Sequence, residues 1–132
     1  MRAKISSLIK QDAKNGGCKH RSGTEIKMQD VVILSQSGRT LTARVLCEID
    51  HHTAKPIREG IDKALFEKKP ELLVLDFSEV RFMDSSGIGL IIGRTEVCRA
   101  LGAHVRVVSL SPLLSRLVRL SGIEKIKNLS IG

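Results

Sequence analysis

From Val31 onward the apolar residues of this chain change period several times, from alternation to steps of three and four. A chain patterned in that way folds as strands and helices in turn. Val31-Val32-Ile33-Leu34 and Leu41-Thr42-Ala43-Arg44-Val45-Leu46 flank the turn residues Gln36-Ser37-Gly38-Arg39, which predicts a β-hairpin. From Thr53, a candidate N-cap, the positions Ala54, Ile57, Ile61, Ala64 and Leu65 trace a helical stripe, with Pro56 in its first turn and Pro70 beyond its end. Leu72-Leu73-Val74-Leu75-Asp76-Phe77 is a short continuous apolar run and reads as a central strand buried on both faces, with helices above and below. Asp84-Ser85-Ser86-Gly87 opens a second helix, with Ile88, Ile91, Cys98 and Leu101 inward and Gly102 as its stop. His104 to Leu110 alternates as a strand. Ser111-Pro112 starts a third helix, whose inner face is read as Leu113, Leu117 and Leu120 up to Gly122, and a last strand is expected over Lys125 to Leu129. The expected fold is a single α/β sandwich, a mixed sheet of about four to five strands with helices packed on it.

The longest apolar runs are far short of a membrane span, and Met1 to Lys10 lacks the apolar core of an export signal, so a cytoplasmic protein is expected. Cys18, Cys47 and Cys98 are odd in number and widely spaced, which suggests neither a disulfide framework nor a metal site. Residues 1–28 are polar, contain Asn15-Gly16-Gly17 and lack periodicity; they read as a basic, disordered extension, with residues 29–132 as the domain. Half of the net charge of +8 lies in residues 1–30, seven basic against three acidic. Basic charge raises the question of nucleic acid, but the chain has no Trp or Tyr and only Phe66, Phe77 and Phe82, so it offers no platform for stacking bases. Direct DNA binding is not expected.

The segment Phe82 to Arg94 holds more hydroxyls and glycines than a buried helix needs. Gly87, Gly89 and Gly93 each cost roughly 0.5 to 1 kcal/mol relative to alanine inside a helix, so a compensating use is implied. That use is either tight packing of a neighbouring strand or a smooth surface for a partner, and composition does not choose. Asp84 and the two serines suit a helix cap. A phosphate on a hydroxyl there would also meet the positive end of the helix, so capping and phosphorylation both stay open. A nucleophilic Ser85 with His51 as base and Asp50 or Asp84 as orienting group is disfavoured, because the nucleophile elbow requires glycine where Met83 stands. The glycines do not form a nucleotide loop either, lying too far from the preceding strand. No enzymatic activity and no cofactor are expected.

Asp84-Ser85-Ser86-Gly87-Ile88-Gly89, the preceding Leu72 to Met83, and Glu48-Ile49-Asp50-His51-His52-Thr53-Ala54 together resemble the anti-sigma factor antagonists of the STAS domain family, most of all those of the sporulation sigma-F pathway. Ser109-Leu110-Ser111-Pro112 and Leu120-Ser121-Gly122-Ile123 extend the likeness over about residues 31 to 129. The resemblance implies a STAS-like domain in which Ser85 is phosphorylated by an anti-sigma factor serine kinase. The unphosphorylated form binds that kinase and frees the sigma factor; a metal-dependent serine phosphatase resets the switch. It further implies that Asp50 comes close to Ser85, and that Asp50, His51, Asp84, Ser86, Gly87, Ile88, Gly89 and Gly93 belong to the partner-binding surface of a protein that is monomeric when free. Cys47 stands where the family usually has glycine, the basic extension is unusual, and relatives often continue into a final helix. The alternative is a STAS scaffold, or a regulatory subunit of a stress-sensing or lipid or anion transport complex.

Overall fold

The computed structural model describes residues 31–132, so the reading of residues 1–28 as an extension lies outside the described residues. Among the described residues, β1 (Val32–Ser37), β2 (Thr40–Val45), β3 (Leu72–Asp76), β4 (His104–Val108) and β5 (Leu129–Ile131) form one sheet in chain order. β1 and β2 are antiparallel; every later pairing is parallel. The expected hairpin turns through Gly38, whose φ of 58° falls in the left-handed region that favours glycine. Glu71 and Leu72 donate backbone N–H groups to the Arg39 carbonyl, which fixes the turn against the start of β3.

Each parallel step needs a crossover, and the helices α1 (Ala54–Lys68), α2 (Ser85–Ala100) and α3 (Pro112–Ser121) supply them. Crossovers of this kind are right-handed, and the strands advance in one direction, so all three helices lie on one face of the sheet. This corrects the expectation that β3 is buried on both sides. Leu73 and Leu75 are fully buried, while Leu72, Val74 and Asp76 on the other face are half-buried. In register with Val74 are Thr42 and Arg106, and Ser130 follows beside Arg106, a row polar enough to face outward. Under the helices, Leu41, Ala43, Val45, Val105, Val107 and Leu129 join Ile57, Ile61, Leu65, Ile91 and Val118 in one core.

Several local readings shift. Thr53 precedes α1 but does not cap it with its side chain; Thr53 Oγ1 donates to the Glu48 carbonyl at 2.8 Å and accepts from Asp50 N–H at 3.0 Å. Asp50 closes the turn that leads into the helix, with Oδ1 accepting from the N–H groups of His52 at 2.8 Å and Thr53 at 3.0 Å and its carbonyl accepting from Ala54 N–H at 2.9 Å. In α2, Ile91 and Cys98 face inward as expected, but Leu90, Arg94 and Thr95 are buried too, while Ile88 and Leu101 are only half-buried. Ser111 caps α3 as read, accepting from Leu114 N–H at 3.2 Å. Its inner face is Leu114 and Val118, however, while Leu113 and Leu120 are 64% and 79% exposed. The doublets Leu113-Leu114 and Leu117-Val118 make both helical rows apolar, so spacing alone could not set the phase. The last strand begins at Leu129 instead of Lys125, because Ile123–Lys125 forms a 3-10 turn after Gly122.

Candidate functional site

The helices leave the same edge of the sheet, the one where β2, β3 and β4 end, so their N-termini line up along it. Two of them are tied together by backbone. Ile49, in the loop after β2, forms a parallel bridge with Met83, in the loop before α2. Ile49 N–H donates to the Phe82 carbonyl at 3.0 Å, and Asp84 N–H donates to the Ile49 carbonyl at 3.1 Å. Asp50 and Asp84 each follow the bridge directly in sequence, so the turn leading into α1 stands beside the cap of α2.

Asp84 is an extended N-cap whose Oδ1 accepts from Ser86 N–H at 2.8 Å. Ser85 is the first residue of α2 and is exposed, while Ser86 is half-buried. The hydroxyl of Ser85 therefore stands at the positive end of a helix of 16 residues, in reach of solvent. Both aspartates have their Oδ1 atoms engaged by backbone N–H groups, which fixes the two carboxyl groups on either side of the loop junction. His51 and His52 are exposed on the turn leading into α1, their rings 4.0 Å apart.

The glycines separate into two kinds. Gly87 is buried, and a Cβ there would meet Met83 Sδ at 2.6 Å and Met83 Cβ and Cγ at 3.0 Å, so its role is to let α2 close on the bridge. Around Gly89 and Gly93 nothing lies within 4 Å of a Cβ, so no neighbouring strand requires their small size. Beside them, Ile88 and Ile92 are half-buried at the surface of the helix. We expect Gly89→Ala and Gly93→Ala each to raise stability by about 0.5 to 1 kcal/mol, and Gly87→Val to lower it by about 1 to 3 kcal/mol. Thermal melting of the three variants checks the order; Gly89→Ala melting below wild type contradicts it.

One residue of this surface escaped the sequence reading. Phe82 is 49% exposed next to buried Met83, on the strand-like approach to Asp84. The alternation of exposed Phe82 with buried Met83 is the sequence signal for it. Deeper between the helices lies a second unforeseen feature, Arg94, 5% exposed, with its Nε 2.8 Å from Asp62 Oδ1 on α1. The Nε–H does not point at that oxygen, and Nη1 is buried without a hydrogen-bond partner. Burial pushes the Asp62 carboxyl above its ordinary value and the Arg94 guanidinium below its own, in spite of their attraction. The Cys98 thiol nearby is pushed up to about 11 by burial, and Cys47 is buried as well, so both are core residues rather than nucleophiles. Among the described residues, no group of His, Cys, Asp and Glu is arranged to hold a metal ion, and no helix is long and apolar enough to cross a membrane.

Comparison with known proteins places this geometry. The family model for the STAS domain matches residues 31–130. An anti-sigma F factor antagonist of Paenibacillus polymyxa is 37% identical over 86 residues, covering 65% of this chain and 74% of that protein. An anti-sigma F factor antagonist of Lysinibacillus sphaericus is 31% identical over 84 residues, 64% of this chain and 72% of the other. Among solved structures, the anti-sigma factor antagonist SpoIIAA in its unphosphorylated form superposes with a TM-score of 0.65 at 28% identity, over 76% of this chain and 87% of that one. The Bacillus cell fate determinant SpoIIAA in its phosphorylated form gives 0.60 at 27% identity, over 76% and 90%.

Proposed function

The chain belongs to the STAS domain family, and from its site we propose that it works as an anti-sigma factor antagonist switched by phosphorylation of Ser85. It is a binding protein rather than an enzyme, in keeping with the antagonist names of its relatives. The observation that carries the reading is the position of Ser85: exposed, first in α2, and beside the junction that joins the cap of α2 to the turn before α1. A kinase can reach that hydroxyl without unfolding the domain, and the helix end tolerates the phosphate once it is there. That a relative of this fold is known in both unphosphorylated and phosphorylated forms supports the same reading.

The unphosphorylated protein binds an anti-sigma factor that is also its serine kinase, which releases the sigma factor; a metal-dependent serine phosphatase restores the binding form. The docking surface consists of Asp50 and His51 on one side and Asp84, Ser86, Ile88, Gly89 and Gly93 on the other, with Gly87 as its internal support. Phe82 supplies an apolar anchor at its rim. The glycines without neighbours leave α2 open to a partner's backbone.

Incubation with a candidate anti-sigma kinase and ATP, followed by mass spectrometric mapping, is expected to place one phosphate on Ser85. Phe82→Ser should weaken the complex roughly tenfold or more while leaving the melting transition in place, since an exposed ring adds little to the core. Phosphate on any other residue, or a Phe82→Ser variant that binds as wild type, contradicts the respective part of the proposal.

A further inference from the structure

The shift in the phase of α3 leaves a surface that the site on α2 does not use. With Leu114 and Val118 turned to the core, Arg116 lies on the opposite side of the helix and projects outward. Leu113 and Leu120 stand beside it, 64% and 79% exposed, with half-buried Leu117 completing a row at positions i, i+4 and i+7. Arg119 is exposed on the other flank, and α3 carries no acidic side chain. Lys125 and Lys127, with Glu124, follow on the turn beyond it. Between the arginines and Leu120 is an open hollow of about 500 Å³ lined by Pro112, Ser115, Arg116, Arg119 and Leu120.

We propose that this outward face of α3 is a docking surface for an anionic lipid bilayer. Leucines at this spacing enter the boundary between acyl chains and headgroups, while the arginines reach back to phosphate through their own apolar stems. The hollow beside Leu120 is bordered by Ser115, Arg116 and Arg119, residue types that can bind a headgroup phosphate at the rim of an apolar contact. A second copy of the chain fits less well, because pairing the face with itself sets Arg116 and Arg119 against their counterparts. A helix from another protein would have to cover Arg116 at the centre of the contact, whereas a bilayer surface lets it stay hydrated. The seven basic residues among residues 1–30 add to the attraction for any anionic surface, and one short apolar helix face is a weak anchor without such a second contribution. The proposal does not rest on the role of Ser85.

The test uses the whole chain and sedimentation with vesicles, one set of phosphatidylcholine and one an equimolar mixture with phosphatidylglycerol. Wild type is expected to partition to the anionic vesicles roughly tenfold or more above the neutral ones. Leu113→Ser with Leu120→Ser should weaken that binding by about tenfold, and Arg116→Gln with Arg119→Gln by a similar factor. Residues 1–30 are the same in every variant, so these differences report on α3 alone. Exposed side chains are being changed, and an unaltered melting transition confirms that each variant is folded. Equal partition of wild type to both vesicle sets, or a leucine variant that sediments as wild type does, overturns the proposal. So does a concentration-dependent dimer, without lipid, that the leucine variant abolishes, or binding to an acidic helical peptide but not to the vesicles; these outcomes assign the face to a second copy or to a protein partner.

Discussion

Phosphorylation of Ser85 is expected to lower affinity for the anti-sigma partner by about four orders of magnitude, with no change of fold. Taking a complex from nearly all bound to nearly all free requires roughly 5.5 kcal/mol of differential affinity. A phosphoserine carries close to two negative charges, and at about 6 Å from one acidic group of the partner, with an effective dielectric near 20, repulsion amounts to roughly 5 kcal/mol before screening. In the free protein the N-terminus of α2 offsets about 1 kcal/mol, which stabilises the released form rather than the complex. The hydroxyl is already exposed, so the domain need not rearrange to accept the phosphate. Ser85→Ala should therefore bind and resist inactivation, and Ser85→Asp, with half the charge, should be a partial mimic. Calorimetric titration of the kinase with the four forms checks this order. Equal affinity for phosphorylated and unmodified protein would falsify the exclusion mechanism.

The second large effect is expected far from that surface, where Asp62 on α1 meets Arg94 on α2. Removing one partner of a buried ion pair leaves the other charge without compensation, so Asp62→Ala should destabilise by about 3 kcal/mol, or roughly 15 °C in melting temperature. The pair itself is a poor source of stability, because burial works against both charges. Joint replacement by Asp62→Leu and Arg94→Met should consequently be near neutral, or stabilising by about 1 kcal/mol. A double variant as unstable as the single one would contradict that account. The pH dependence has a definite sign. The folded protein holds the Asp62 proton more tightly than the unfolded chain does, so the stability from this carboxyl is full at low pH and declines as pH rises through its raised value. Asp62→Asn removes the decline, which chemical denaturation across the acid range would show.

Much of the site is legible in the sequence. The start of α2 within Asp84-Ser85-Ser86-Gly87, and Ser111 with Pro112 at the start of α3, are found where local pattern put them, and the structure assigns the cap of α2 to Asp84 among the three candidates. The proximity of Asp50 to this site, implied by resemblance to a family, takes physical form in the Ile49–Met83 bridge. Such a bridge joins residues more than thirty positions apart, and no periodicity announces it. The open question about the glycines had the same origin. Gly87 and Gly89 are two residues apart in one helix, yet only Gly87 faces Met83.

Capping, turns and hydrophobic period are interactions among residues within a few positions of each other, so the chain order alone determined the hairpin, the alternation of strands and helices, and the start of each helix in the parallel part. Whatever depended on which side of an element meets the rest of the molecule was decided by tertiary packing. The run at β3 has apolar residues for two faces, but right-handed crossovers stepping one way along the sheet cover only one. The doublets of α3 could have buried either row, and packing on the core beneath selects Leu114 and Val118. Arg94, which no local pattern marks as a core residue, is buried because α1 packs against α2 there and brings Asp62 within 2.8 Å. In each case the deciding contact is with a segment distant in sequence, and its energy exists only once the helices are stacked on the sheet.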